Sequence, residues 1–168
     1  MKILIAYFSK DGGNSVDGQT KQLERGNTEI VAEKISKLTG GELYPLIPVE
    51  PYPSNYLACT MRAKKELDEG AFPSIANLKK SIDEYDLIYL GFPNWYRSYP
   101  RLVATFLKSY DFTGKTIKPF CTNEEGAFGI GELELRATLK TANVKEGFAV
   151  KGVEADECDL ELSKWVNK

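Results

Sequence analysis

Apolar runs rich in Ile, Leu, Val and aromatic residues recur along the chain at Ile3 to Phe8, Leu87 to Gly91, Thr116 to Cys121 and Phe148 to Val153, each bounded by turn residues. They predict buried strands. The first two are apolar on both faces, as a parallel sheet covered by helices on each side requires. Between them the period lengthens to that of a helix. Asn27 or Thr28 caps a helix through about Leu38, with Ile30, Val31, Ile35 and Leu38 on one face and Gly40-Gly41 ending it. A shorter strand at Glu42 to Leu46 leads into a Pro-rich crossing, Pro45 to Pro53, and a charged helix from Asn55 to Glu69 that Gly70 stops. Ser74 caps a further helix to about Tyr85, Pro100 starts one through Ser109, and Gly129 to Thr141 reads as another. The last helix begins near Asp156 and buries Leu160, Leu162 and Trp165. This alternation predicts one α/β domain over residues 1–168, an open doubly wound sheet of about five strands.

One stretch breaks the pattern. Residues 10 to 26, KDGGNSVDGQTKQLERG, are polar and Gly-rich and far longer than an ordinary βα loop. Residues 11–25 therefore read as an inserted loop.

Composition narrows the chemistry. Among 168 residues there is no histidine, which removes Ser-His-Asp and Cys-His hydrolysis, His-ligated metals and imidazole acid–base catalysis. No residue reads as a metal ligand or as a side-chain catalyst. Cys59, Cys121 and Cys158 are far apart, so no CxxC pattern exists, and reduced thiols in a cytoplasmic protein are expected. The first apolar run is too short for a signal peptide, and no later one approaches a membrane span. A net charge of -2 without a basic cluster argues against a nucleic-acid partner.

In an open α/β sheet, ligands bind beyond the carboxyl ends of the strands, which directs attention to three loops. After the first strand come Ser9 and Lys10 and, past the insertion, Gly26, Asn27 and Thr28 at a helix start. Hydroxyls and free amides there suit a phosphate, although Asn27 or Thr28 equally serves as a plain helix cap. After the strand ending at Gly91 comes FPNWYRSYP, whose Pro93, Asn94, Trp95 and Tyr96 form either a stacking platform for a planar ligand or a segment folded back on the core. After Cys121 come Thr122, Asn123, Gly126 and Phe128 in a small polar loop that lets backbone approach a ligand.

Gly13 to Thr20 has the spacing of a phosphate-binding P-loop, but Gln19 stands where the lysine belongs. A receiver-type signalling domain needs acidic residues where Ser9-Lys10 and Gly91-Phe92 stand. Neither reading survives.

The strand ILIAYFS followed by GNT, the loop GFPNWY, and FCTNEEGAFG together resemble the flavodoxin family, over nearly the whole chain. Tyr44 to Pro53 and Gly114 to Thr122 resemble one group within it. The resemblance implies a flavodoxin-like three-layer sandwich, a five-stranded parallel sheet of order 2-1-3-4-5 with helices on both faces, and bound FMN. Carried over by position, it makes Ser9, Lys10, Gly26, Asn27 and Thr28 the phosphate site, split by the insertion. Pro93, Asn94, Trp95 and Tyr96 then stack on or edge the isoalloxazine, and Thr122, Asn123, Gly126 and Phe128 close its other side. Many relatives carry glycine beside the loop tryptophan, where this chain has Tyr96 and Arg97. A backbone flip toward the reduced flavin is easier at glycine, so this departure implies weaker one-electron stabilisation.

Three functions follow as expectations. The first is an electron carrier working with a redox partner protein or small-molecule acceptor. The second is an FMN-dependent NAD(P)H oxidoreductase of quinones or other small molecules. The third, of another class, is a non-catalytic interaction module on the same fold. Flavodoxins that act as carriers are strongly acidic, a character that a net charge of -2 does not share.

Overall fold

The computed structural model describes residues 1–168. A parallel sheet is built from β1 (Ile3–Tyr7), β4 (Glu42–Pro45), β5 (Leu87–Pro93), β6 (Thr116–Asn123), β7 (Asn143–Val144) and β8 (Phe148–Lys151). Its order is β4-β1-β5-β6, with β7 and β8 both pairing with β6. The expected order 2-1-3-4-5 is present, but the fifth position is shared by two short strands. The break lies opposite Pro119, which has no N–H to offer that side of the ladder.

Successive side chains on a strand point to opposite faces, and both faces here are covered. Leu4, Ala6 and Phe8 join Ile88, Leu90 and Phe92 under α2 (Tyr56–Glu69), α3 (Arg101–Ser109) and α4 (Gly131–Thr138). Ile5, Tyr7 and Tyr89 join Val31, Ala32 and Ile35 of α1 (Asn27–Thr39) and Leu162 and Trp165 of α5 (Asp159–Val166). No helix is long and apolar enough to cross a membrane.

Five expectations need correction. Residues 74–85 form turns rather than a helix, because their polar groups are engaged by the Pro-rich crossing. Ala76 N–H donates to Ile47 O, Val49 N–H donates to Ser74 O, and the Asn77 amide bonds both Ile47 N–H and Pro45 O. Leu160 is exposed, the buried stripe of α5 being Leu162 and Trp165, and Leu38 likewise faces solvent. The strand expected to reach Val153 ends at Lys151 and gives way to a single 3-10 turn. Finally, residues 11–25 are no open loop. They contain an antiparallel hairpin of β2 (Gly12–Val16) and β3 (Gln19–Leu23), in which Gly12 pairs with Leu23.

Candidate functional site

The hairpin returns the chain to its starting point, so the two halves of the predicted phosphate loop meet. Gly26 precedes α1 in an extended conformation, and a side chain there would put its Cβ 2.1 Å from Ser9 Oγ and 2.8 Å from the Lys10 backbone. Only glycine fits that approach. The helix cap expected from Asn27 or Thr28 is supplied from outside the helix, by Ser9 Oγ accepting the Glu29 N–H at 3.0 Å. Amides in the first turn of α1, including those of Asn27 and Thr28, have no acceptor within the helix and carry its positive dipole end. Lys10 is buried beside them, its ammonium donating to the Asp11 carbonyl.

The loops after β5 and β6 are tied together. Asn94 N–H donates to Thr122 O at 3.0 Å, and the side-chain amides of Asn94 and Asn123 both donate to Ala127 O, at 2.9 and 2.8 Å. Asn123 Oδ1 accepts from Gly126 N–H at 2.6 Å, and Arg97 O accepts from Ile130 N–H at 2.7 Å. Trp95 to Ser98 form a tight turn closed in both directions, Trp95 N–H to Ser98 O at 2.8 Å and the reverse at 3.1 Å. The turn holds Tyr96 and Arg97 at φ 50° and 68°, a left-handed geometry that non-glycine residues adopt only when neighbours enforce it.

These loops open on a cleft of about 450 Å³. Lys10, Asn27, Thr28, Pro93, Asn94, Trp95, Tyr96, Thr122 and Asn123 line it together. Ser9 lies behind it and lines a smaller neighbouring cavity, and Gly26 and Gly126 shape the backbone without facing it. Phe128 turns away, its ring edge-on to Phe92 at 6.0 Å within the core, so it does not close the cleft. Trp95 has two surroundings. It lines the cleft while packing edge-on against Phe8 and Tyr52, at 5.4 and 5.1 Å.

Further lining residues were not among the site residues expected from the sequence. Gly13 to Asp17 come from the hairpin, and Tyr56, Cys59, Thr60 and Ala63 from α2. Only the i, i+3, i+4 spacing of the α2 set hinted at a shared face. Burial pushes the Cys59 thiol up, against the pull of Lys10 and Arg62. With no histidine in the chain, the cleft offers no imidazole.

The donor set fits FMN: an anion site of amides, hydroxyls and Lys10 at the end of α1, opening on a cleft edged by Trp95. The chain is similar in structure to a flavoprotein from Bacteroides uniformis, at 27% identity and a TM-score of 0.78, over 99% of this chain and 98% of that one. A flavoprotein from Bacteroides eggerthii is similar at 29% identity and 0.78, over 99% and 96%. A flavoprotein in complex with FMN from Lactobacillus acidophilus shares the fold at 23% identity and 0.66, over 98% and 97%. No curated protein matches the sequence. The family model described as Flavodoxin matches residues 2–168, and the chain belongs to the flavodoxin family.

Proposed function

We propose that this chain is an FMN-binding redox protein that moves electrons through an isoalloxazine held in the cleft. The observation that carries the reading is the convergence of the α1 anion site, the Trp95 loop and the β6 loop on one cavity. The FMN complex of the Lactobacillus acidophilus relative supports it.

Bound FMN supplies the chemistry, accepting and releasing one or two electrons. The chain's residues hold and tune it. Lys10, the Thr28 hydroxyl and the amides of Asn27 and Thr28 bind the phosphate, and Ser9 behind them caps the helix start. Trp95 and Pro93 edge the ring, while Asn94, Thr122 and Asn123 present backbone and amide groups to it. Because these loops are already cross-linked by hydrogen bonds, little ordering cost falls on binding. The cleft holds no imidazole to relay the protons that accompany electrons.

The test is a titration of flavin-stripped protein with FMN, followed by fluorescence quenching, with riboflavin as the control lacking phosphate. Phosphate-dependent binding at or below micromolar concentration is expected. Failure of both flavins to bind would overturn the assignment and leave the interaction module as the surviving reading.

A further inference from the structure

Main-chain hydrogen bonds fix the backbone of Trp95 in its turn, but they leave the rotamer of its indole undetermined. The chain's other tryptophan, Trp165, has its ring fixed by an indole N–H donated to Glu146 O at 2.9 Å. Trp95 makes no such bond to the protein, so ring packing sets the angle at which its indole meets the cleft.

Two rings supply that packing, and polar groups tie down one of them. Phe8 stands 5.4 Å away at the end of β1. Tyr52 stands 5.1 Å away on the Pro-rich crossing, its plane at 79° to the indole. Its hydroxyl donates to Glu66 Oε2 at 2.7 Å, and Glu66 Oε1 accepts from Arg62 Nε at 2.9 Å. Arg62 closes the circuit by lying over the Tyr52 ring, 4.1 Å from its centroid, and by donating to Pro51 O and Glu50 O at 2.8 and 3.0 Å. One guanidinium thus holds the tyrosine by its ring, by its hydroxyl through Glu66, and by the chain just before it. Burial, and then the Glu66 bond, pushes the Tyr52 hydroxyl up, so it stays a donor at every ordinary pH.

This ion pair differs from its neighbour on α2. The Arg62 and Glu66 side chains are 19% and 12% exposed, against 51% and 59% for Lys64 and Asp68. A solvated pair contributes little, whereas a largely buried one loses hydration and gains a fixed geometry. None of Tyr52, Arg62 and Glu66 lines the cleft, so whatever they do there passes through Trp95.

We propose that Tyr52, held by Glu66 and Arg62, is the positioning residue for Trp95, keeping the indole at the angle that meets a bound flavin ring. The consequence for the flavin rests on the FMN reading above, while the placement of the indole belongs to the flavin-free protein. A prearranged ring spares binding the loss of side-chain freedom that ordering it would require.

The experiment incorporates fluorinated tryptophan and follows Trp95 by fluorine NMR without flavin, its signal being the one absent from Trp95→Phe. Tyr52→Phe keeps the ring and loses the hydroxyl anchor. Its Trp95 signal should shift and broaden about twofold or more, and FMN and riboflavin affinities should fall together by about three- to tenfold, the range expected for ordering one side chain on binding. Glu66→Gln should act in the same direction, and adding it to Tyr52→Phe should change neither readout further, because both substitutions break one path. Tyr110→Phe is the control. It removes a comparable hydroxyl bond, to Lys79 O at 2.8 Å, beside the same core, and should lower stability while leaving the Trp95 signal and both affinities unchanged. If Tyr52→Phe fails to fold, Arg62→Lys should broaden the same signal, since an ammonium keeps the charge without the planar fork.

A Trp95 signal that is the same in Tyr52→Phe and the wild type, or flavin affinities that fall no more than in Tyr110→Phe, would overturn the proposal while leaving FMN binding in place. If the wild-type protein binds neither flavin, the FMN reading falls, and the Trp95 signal still decides whether Tyr52 positions the indole.

Discussion

The hydroxyls of Thr28 and Thr122 lie 2.8 Å apart, joining residues separated by 94 positions. Both are buried, and the bond ties the first turn of α1 to the end of β6. Two hydroxyls sharing one hydrogen bond leave one proton free to donate into the cleft.

Thr122→Val should therefore strand the Thr28 hydroxyl, at a cost of about 1–3 kcal/mol for a buried polar group without its partner. Thermal unfolding would show a midpoint lowered by a few degrees. Thr28→Val removes a phosphate donor as well. Its FMN affinity should fall about tenfold or more while riboflavin binding stays near the wild-type value, as the same fluorescence titration would register.

Trp95 stands on two supports, the core rings of Phe8 and Tyr52 and the cleft it lines. Trp95→Ala should weaken both flavins, since ring contact needs no phosphate. It should also cost about 2 kcal/mol of stability, below the roughly 3–5 kcal/mol of a fully buried tryptophan because the side chain is only half-buried. Urea denaturation without flavin separates the stability loss from the binding loss.

Tyr96 and Arg97 occupy the central positions of a tight turn that favours Asn-Gly. Replacing Arg97 by glycine removes left-handed strain of about 1 kcal/mol and should raise the unfolding midpoint by roughly 2–4 °C. Tyr96→Asn gains less, because it forfeits the hydroxyl bond to Thr60 O. Calorimetric scans of the two variants should rank them in that order.

Glu42 on β4 accepts from Lys79 Nζ at 2.6 Å and from the Tyr85 hydroxyl at 2.5 Å. The Lys79 hydrogen bond, followed by that of Tyr85, holds its carboxyl below the usual carboxylate value. As pH falls, the unfolded chain takes up this proton first. The ionised carboxyl thus stabilises the fold above about pH 4.5, and the contribution fades as pH drops through the lower folded value. Glu42→Gln should flatten stability between about pH 5 and pH 3, modestly because the pair is largely solvated. Urea midpoints across that range would show it.

Much of the architecture was legible because a strand covered on both faces has to be apolar at every position. Ile3 to Phe8 and Leu87 to Gly91 announced themselves in this way, and GNT and PNWY marked the loops that follow β1 and β5. Composition alone removed histidine chemistry. What the linear pattern left open were matters of which groups meet. Residues 74–85 carry helical spacing, yet their hydrogen bonds go to the Pro-rich crossing, a choice made across some 30 positions of sequence. Phe128 belongs to a site-facing loop by position, but the ring of Phe92 draws it into the core. The hairpin is the plainest case: Gly, Asn, Ser and Gln fit an open loop as well as a ladder. Contacts with Ser54 and Glu124, which lie far along the chain, turn it into a wall of the cleft. Local pattern determines the elements through burial, whereas only tertiary contact decides which polar groups find partners.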